Sequence, residues 1–207
     1  MTCIAAAIPR NGIILILCGP AGSGKTTLCD QMLAQFGSLK RIITATTRKP
    51  RPGERHGEHY FFFTEADFKE HIEAGAFYEH AKVHGRHYGT LKSEVQAQLN
   101  AGNDILLNID VQGAASFREH ATHDPLLASR LRTIFIRPES VEVIRERLRD
   151  RQSDSEAEIE RRLQTALQEL ATAESHDYIL PTSTRERDFE LMRSIYLAEK
   201  HRVVRLP

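Results

Sequence analysis

Residues 19–26 read Gly19-Pro20-Ala21-Gly22-Ser23-Gly24-Lys25-Thr26, the G-x-x-x-x-G-K-T pattern of a phosphate-binding loop, or P-loop. An apolar run of strand length, residues 13–18, precedes it, and residues 26–36 after it have the spacing of a helix. In that order, loop N–H groups and the positive end of the helix face the same phosphate oxygens. The pattern predicts a nucleotide site with Lys25 on the outer phosphates and the Thr26 hydroxyl on Mg²⁺; the alternative is a turn that only joins a strand to a helix. The predicted donor-nucleotide residues are Gly19, Pro20, Ala21, Gly22, Ser23, Gly24, Lys25, Thr26 and Thr27.

The bulk composition narrows the class of protein. The chain has 207 residues, of which 41% are hydrophobic, enough for one sizeable core. Lys plus Arg equal Asp plus Glu, at 28 each, so no global field attracts nucleic acid or a membrane surface. The three cysteines are odd in number and form no C-x-x-C, which favours a reducing compartment over a disulfide framework or a zinc site. We therefore expect a cytoplasmic protein without nucleic-acid or membrane partners, and the sequence leaves homo-oligomerisation open.

Residues 1–11 stand apart from the pattern that follows them. They hold a short apolar piece closed by Pro9, without the basic start or the length of a signal peptide. No run in the chain approaches the length of a membrane span. We expect a flexible N-terminal tail at 1–11, followed by a single domain at 12–207.

Short apolar runs alternate with longer amphipathic ones through most of the chain. This alternation predicts an α/β fold of the P-loop NTPase type, a parallel sheet with helices on both faces. The predicted strands are 12–18, 42–45, 105–110, 133–136 and 178–180. The predicted helices are 24–36, 65–74, 91–101, 113–120, 140–151, 155–175 and 186–200.

Two stretches break this rhythm. Residues 46–90 are rich in Arg, Pro, Gly, His and aromatic residues, and Tyr60-Phe61-Phe62-Phe63 within them indicates a small separate sheet. Residues 137–165 are densely charged and helical. We expect both to be lobes at the carboxyl edge of the main sheet, where open α/β sheets bind ligands. The core then consists of 12–45, 91–136 and 166–207.

The first of these stretches carries a resemblance to a known family. Residues 46–54 read Thr46-Thr47-Arg48-Lys49-Pro50-Arg51-Pro52-Gly53-Glu54, and Gly57-Glu58-His59-Tyr60-Phe61-Phe62 follows. Together with the P-loop, this block resembles the guanylate kinases. The resemblance continues through 77–81, 88–90 and Ile109-Asp110-Val111-Gln112-Gly113, and covers about residues 12–200.

The resemblance implies an enzyme of purine nucleotide metabolism that transfers a phosphate from MgATP to GMP or dGMP, giving ADP and GDP. It places a small GMP-binding lobe at 46–90 and a helical lid at 137–165. The residues matching the grip on the GMP phosphate are Arg48, Arg51, Tyr60 and Tyr88. The residues matching positions that read the guanine are Thr44, Glu79 and Thr90, and the other predicted GMP-binding residues are Gly89, Asn108 and Asp110. The matching catalytic cations are Lys25, Arg48 and the lid residues Arg147, Arg151 and Arg162.

The residue chemistry agrees with these roles. Arg48 and Arg51 lie three apart in a proline-stiffened loop, and planar guanidinium groups match phosphate oxygens; the alternative is a solvated basic turn. Guanine presents two adjacent donors, N1–H and the N2 amino group, and the carboxylate of Glu79 can accept both. Adenine has an acceptor at N1, so a site built on that carboxylate rejects it. An acceptor phosphate is already anionic, so no catalytic base is expected.

Asp110 and the lid arginines leave alternatives open. Asp110 follows an apolar strand, where a carboxylate can orient Mg²⁺ through water, but it can also cap the helix expected at Gly113. The lid arginines can meet the ATP phosphates after closure, or pair with glutamates at helical spacing. The histidine pairs at spacings of three and four fit a metal in principle, although a structural or surface role is the more common one.

Several positions depart from the family pattern. Asn108 stands where many guanylate kinases carry aspartate, Asp150-Arg151-Gln152 replaces a G-R-G turn, and Pro181-Thr182-Ser183 replaces V-N-D near the adenine site. Residues 121–132 are expected to form an extended surface loop. Three rival classes fit the sequence less well than the kinase. A GTPase would use the D-x-x-G at 110–113 but lacks N-K-x-D, a scaffold domain would lack the intact P-loop, and a sugar-phosphate kinase would not need Glu79.

Overall fold

The computed structural model describes residues 12–83, 85–149 and 155–203. Its strands are β1 (Ile14–Cys18), β2 (Leu39–Arg41), β3 (Ala45–Thr46), β4 (Phe61–Phe62), β5 (Phe77–Val83), β6 (Arg86–Leu91), β7 (Asp104–Asn108), β8 (Leu131–Arg137) and β9 (Tyr178–Pro181). The main sheet is parallel, with strand order β2-β7-β1-β8-β9. The helices are α1 (Lys25–Gln35), α2 (Glu65–Glu73), α3 (Lys92–Asn100), α4 (Val111–His123), α5 (Pro125–Arg130), α6 (Val141–Arg149), α7 (Glu156–Leu170) and α8 (Arg185–Lys200), with a 3₁₀ turn at Ala173–Ser175.

Strand β1 lies at the centre of the main sheet and is buried along its whole length. Its alternate side chains point to opposite faces, so Ile14 and Ile16 join one apolar cluster while Leu15 and Leu17 join another. The first cluster is covered by α3 and α4, and the second by α1 and α8. A strand apolar at every position is what a sheet covered on both faces requires. The predicted α/β class is confirmed.

The stretch 46–90 contains a second, four-stranded sheet with order β4-β3-β6-β5. Helix α2 covers one face of it, and Phe68 on that helix stacks on Phe77 with ring centroids 4.6 Å apart. Thr64 begins the helix with a capping box shared with Asp67, which satisfies two backbone donors that the first turn leaves open. The small sheet is therefore a lobe with its own apolar cluster, attached beside the main sheet.

Helices α6 and α7 form a hairpin with a separate apolar cluster, in which Ile144 and Leu148 of α6 meet Ile159 and Leu163 of α7. Charged pairs such as Arg145–Glu160, at 3.0 Å, join the two helices on the outside. Residues 150–154, which include the predicted lid residues Asp150, Arg151 and Gln152, lie outside the described residues.

Several predicted elements differ from the structure. The predicted strand 42–45 is wrong, because β2 ends at Arg41 and β3 begins at Ala45 in the other sheet. The predicted loop at 121–132 is wrong as well, since α4 continues to His123 and Asp124 caps α5. The β5–β6 hairpin was not among the predicted strands, because its polar residues at 79–90 give no apolar run.

The remaining differences concern ends of elements. The predicted helix 155–175 ends at Leu170. The tail expected at 1–11 lies outside the described residues. Across the described part of the chain, every helix is too short or too polar to cross a bilayer.

Candidate active site

The P-loop connects the end of β1 to the start of α1 at the carboxyl edge of the main sheet. Gly19 has φ +134°, and a Cβ atom there would lie 2.5 Å from the carbonyl oxygen of Ile136 on β8. Gly24 has φ +98° just before the helix begins. Only glycine adopts such angles without strain, so these residues let the backbone turn around a small cavity. The cavity has a volume of about 210 Å³ and is lined by Ala21, Gly22, Gly24, Lys25, Thr26 and Thr27.

Lys25 points back over this loop. Its Nζ donates to the carbonyl oxygens of Gly19, at 2.6 Å, and Pro20, at 2.9 Å. These contacts hold an ammonium group at the cavity beside the first turn of α1, where backbone N–H groups and the helix dipole also favour an anion. The predicted phosphate contact of Lys25 is therefore sterically available.

The side chain of Asn108, at the end of β7, reaches the P-loop. Its Nδ2 donates to the Thr26 hydroxyl at 3.3 Å, and both side chains are exposed. Two residues on, Asp110 caps α4, with Oδ1 accepting from the Gly113 N–H at 2.8 Å. The helix-cap alternative for Asp110 is thus what the structure shows, although the helix begins at Val111 rather than at Gly113. Its metal-side role stays a prediction.

These oxygens can be tested against the chemistry of Mg²⁺. No cluster of three or more His, Cys, Asp or Glu ligands occurs among residues 12–83, 85–149 and 155–203. Mg²⁺ usually keeps several waters and takes one or two protein oxygens plus substrate phosphates. The Thr26 hydroxyl, with the Asn108 amide beside it and the carboxylate of Asp110 on the same edge, fits that sparse donor set.

The α6–α7 hairpin, the predicted lid, touches the P-loop through Arg147 on α6. Its Nη1 donates to the carbonyl oxygen of Gly22 at 3.2 Å, and its Cβ lies 3.6 Å from where a Cβ of Gly22 would be. Arg162 on α7 is half-buried, and its Nε donates to Glu158 Oε1 at 3.1 Å. For this arginine the structure thus shows pairing with a glutamate at helical spacing. Arg147 is thereby placed at the P-loop cavity, whereas Arg151 lies outside the described residues.

In the small lobe, Arg48 lies close to Tyr60 and Tyr88, the two tyrosines predicted to bind phosphate. Its guanidinium carbon lies 5.3 Å from the centre of the Tyr60 ring, within cation–π range, and the Tyr60 and Tyr88 rings are 6.2 Å apart, edge to face. A hydrogen bond to Tyr88 also helps to raise the pKa of Arg48, after the larger effect of Glu54. Arg48, Tyr60 and Tyr88 therefore form one cationic and phenolic surface.

Glu54 lies at the end of the 46–54 block and is not among the predicted site residues. Its Oε1 accepts from Arg48 Nη2 at 2.8 Å and its Oε2 accepts from the Arg51 N–H at 2.7 Å. These two bonds lower the pKa of Glu54 to about 2. A glutamate three residues after Arg51 across Pro52-Gly53 was the available signal, because that dipeptide is typical of a tight turn.

Glu79 and Thr90 face each other across β5 and β6, as their predicted shared role requires. The Thr90 hydroxyl donates to Glu79 Oε1 at 2.6 Å, and Oε2 lies beside Gly113 at the start of α4. Burial raises the pKa of Glu79 above its ordinary value; the hydrogen bond from Thr90 opposes this, and the nearby charge of Asp110 adds to it. The carboxylate is half-buried, so it can accept from a base that enters the lobe.

The other predicted acceptor residues line the same sheet. Gly89 pairs with His80, and a Cβ at Gly89 would lie 2.9 Å from the Phe77 ring. The Thr44 carbonyl accepts from the Phe61 N–H at 2.9 Å, which aligns β4 with β3. The Arg51 side chain is exposed. Among the histidines, His56 and His59 accept backbone hydrogen bonds from Phe62 and Arg55, and His84 lies outside the described residues.

The predicted site thus has two parts: a cavity at the P-loop expected for the donor nucleotide (the donor cavity), and a surface on the small sheet expected for the acceptor (the acceptor surface). Asp110, two residues after the end of β7, is within electrostatic range of Glu79 on the small sheet and of Glu169, which is itself within range of Lys25 at the P-loop. The departure at 181–183 falls at the end of β9, where Thr182 is buried and its N–H donates to Arg137 at 2.9 Å.

Comparisons with known proteins agree on one family. The family model described as Guanylate kinase matches residues 11–198. A guanylate kinase of Caldanaerobacter subterraneus subsp. tengcongensis is 40% identical over 96% of this chain and 93% of its own length. One from Rickettsia felis is 37% identical over 94% of this chain and 98% of its own. The crystal structure of guanylate kinase from Anaplasma phagocytophilum superposes with a TM-score of 0.69 at 28% identity, covering 95% of this chain and 90% of that one.

Proposed function

The chain belongs to the guanylate kinase family, and on that premise we propose how its residues move a phosphate from ATP to GMP. The activity assigned to the family is a phosphotransfer between nucleotides, which yields ADP and GDP in purine metabolism. The observation that carries the proposal is an intact P-loop in one chain with a separate lobe, on which Arg48 and Tyr88 both lie near Tyr60 and Glu79 binds Thr90. The P-loop suits a nucleoside triphosphate, and the small lobe suits guanosine monophosphate.

On the donor side, the triphosphate of ATP is placed on the P-loop backbone. Lys25 then exchanges its two carbonyl contacts for phosphate oxygens and neutralises charge that develops on the transferred group. Arg147 already lies at Gly22, so a small movement of α6 brings its guanidinium onto the same phosphates. The proposed roles of Arg151 and Arg162 are further cationic contacts from the lid.

On the acceptor side, Arg48, Arg51, Tyr60 and Tyr88 bind the phosphate of GMP. Glu79 accepts N1–H and the N2 amino group of guanine, with Thr90 holding the carboxylate in place. Thr44, Gly89, Asn108 and Asp110 complete the proposed acceptor site. A phosphate oxygen of GMP attacks the terminal phosphorus of ATP while the bond from that phosphorus to the bridging oxygen breaks, so that ADP leaves. The role of the chain is to align the two groups and stabilise their charge.

The proposed cofactor is Mg²⁺ bound with ATP, held on the protein side by Thr26 and, through water, by Asp110. When bound, the ion supplies positive charge to the phosphate oxygens. The Asn108 amide orients the Thr26 hydroxyl through the 3.3 Å hydrogen bond. The proposed boundaries are a core at 12–45, 91–136 and 166–207, an acceptor lobe at 46–90 and a lid at 137–165.

Removal of the divalent ion gives the first prediction. We expect EDTA in excess over metal to abolish GDP formation, and added MgCl₂ to restore it, because phosphate charge is otherwise uncompensated. GDP formation is followed by chromatography. Zinc at the same concentration serves as the matched control and should restore less; full activity in EDTA would contradict the proposed cofactor.

The acceptor panel tests the function itself. We expect phosphate transfer from MgATP to GMP and dGMP, with rates on AMP, CMP and UMP lower by about a hundredfold or more, because only guanine offers Glu79 two adjacent donors. A coupled assay of ADP release measures all five acceptors at one concentration. Comparable rates on AMP and GMP would overturn the assignment of the acceptor.

The remaining proposals concern the cellular location and the partners of the protein. We place the protein in the cytoplasm, with ATP and GMP or dGMP as its partners and without nucleic acid or membrane; homo-oligomerisation stays open. The balanced charge supports this, and so do Cys18 and Cys29, which are free thiols buried in the core. Burial raises the pKa of each thiol to about 12, so neither is a ready nucleophile.

A further inference from the structure

The carboxylate of Glu54 is committed at both oxygens. One oxygen binds the Arg48 side chain at 2.8 Å, and the other binds the backbone N–H of Arg51 at 2.7 Å. A single acidic side chain therefore connects the two arginines that are proposed to bind the acceptor phosphate. No other carboxylate in the described part of the chain contacts either arginine.

A tight turn brings Glu54 to this position. The Glu54 N–H donates to the Arg51 carbonyl at 3.0 Å, with Pro52 and Gly53 between them. Gly53 has φ +86°, which is the left-handed geometry of the third residue of a type II turn, and proline favours the second. The turn reverses the chain, so that the Glu54 side chain points back toward Arg48.

The Arg48–Glu54 pair is shielded on several sides. Each side chain is only 18% exposed, whereas the neighbouring Arg55–Glu58 pair is 73% and 52% exposed. The Tyr60 and Phe62 rings lie 5.3 and 5.7 Å from the Arg48 guanidinium carbon. Arg48 Nη1 donates to the Lys49 carbonyl at 2.9 Å, so the guanidinium group is fixed in position and orientation.

Arg51 differs from Arg48 in this respect. Its backbone is bound by Glu54, but its guanidinium group is exposed and makes no hydrogen bond or ion pair within the described residues. The two arginines therefore have different roles. Arg48 is oriented in advance, and Arg51 retains all its side-chain donors for a ligand.

We propose that Glu54 is a positioning residue for the acceptor phosphate, one that orients the Arg48 guanidinium and fixes the backbone from which Arg51 reaches out. This rests on the proposed function, because it assumes that the anion bound here is the phosphate of GMP. Glu54 does not need to touch the substrate. Its negative charge holds Arg48 in place before binding, so less ordering remains when the phosphate arrives.

The test compares Glu54→Gln with Glu58→Gln. Glutamine has nearly the same shape and can still accept from Arg51, but it brings no charge to Arg48. We expect Glu54→Gln to raise KM for GMP about tenfold, with KM for ATP within twofold of the unchanged chain. Glu58→Gln removes an exposed ion pair of the same lobe and should leave both constants unchanged.

A second measurement separates positioning from general support of the fold. Dissociation constants for GMP and guanosine are measured by calorimetry on both variants, with thermal unfolding as a check on folding. We expect Glu54→Gln to weaken GMP about tenfold and guanosine less than twofold, because guanosine has no phosphate. Equal weakening of both ligands, or unchanged GMP affinity in a folded variant, would overturn the inference. If the unchanged chain fails to phosphorylate GMP at all, it is the proposed function that fails.

Discussion

Alanine at position 25 is expected to lower turnover about a thousandfold, which corresponds to about 4 kcal/mol of transition-state stabilisation. The structure places the Lys25 ammonium 2.6 and 2.9 Å from two P-loop carbonyls, at the edge of the donor cavity. There it can follow charge that moves onto the transferred phosphate. The affinity for GMP should change little, because the acceptor surface lies on the other sheet. Single-turnover kinetics measure the first effect, and calorimetric titration with GMP measures the second.

The matched control is Lys40→Ala. Lys40 is an exposed lysine on β2 of the same main sheet, so its removal also costs one positive charge. Its turnover should stay within twofold of the unchanged chain. Retention of more than a tenth of the activity in Lys25→Ala would remove this residue from the proposed mechanism.

Glutamine at position 79 is expected to reduce kcat/KM for GMP about a hundredfold and to narrow the preference for GMP over AMP by a similar factor. The amide keeps one acceptor oxygen but turns two donors toward the donors of guanine. The variant should keep its kcat/KM for AMP, because adenine does not offer the two donors that the carboxylate accepts. The ratio of kcat/KM values for GMP and AMP gives the result directly, with Glu73→Gln, an exposed glutamate on α2, as the control.

The pH dependence offers an independent check on Glu79. Burial raises the pKa of its carboxyl group, and guanine recognition needs the ionised form. The affinity for GMP should therefore fall as the pH drops through that raised pKa, at a higher pH than an ordinary glutamate would give. Titration of the GMP phosphate is common to both enzymes, so the difference between the unchanged chain and Glu79→Gln isolates this group. Coincident profiles together with an unchanged acceptor ratio would refute the role of Glu79.

Much of the fold could be predicted because its signals are local. Residues 13–18 are apolar without interruption, and a strand buried on both faces needs nothing more. The glycines at 19, 22 and 24 all have positive φ, as the motif implies. The family could also be predicted from the sequence, because the arginine–tyrosine block and the P-loop occur in the same chain.

The rest depends on contacts between distant residues. The strand predicted at 42–45 was wrong because an apolar run cannot show that the chain leaves one sheet at Arg41 and enters another at Ala45. The β5–β6 hairpin is rich in polar residues and carries the proposed acceptor residues Glu79, Tyr88 and Thr90, so its strands show no apolar run. The role of Glu54 follows only when the turn at Pro52-Gly53 is seen to aim its carboxylate at Arg48.

The contact of Arg147 with the Gly22 carbonyl has a consequence for how ATP enters. On the proposed role of Arg147, the incoming nucleotide takes over a hydrogen-bond donor that the loop's own backbone was already using. One hydrogen bond is traded for another, so the net gain is the difference between a phosphate and a carbonyl as acceptor. The α6–α7 hairpin can therefore rest on the P-loop and still release it to a nucleotide at little cost in free energy, because the hydrogen bond that is lost is replaced by another.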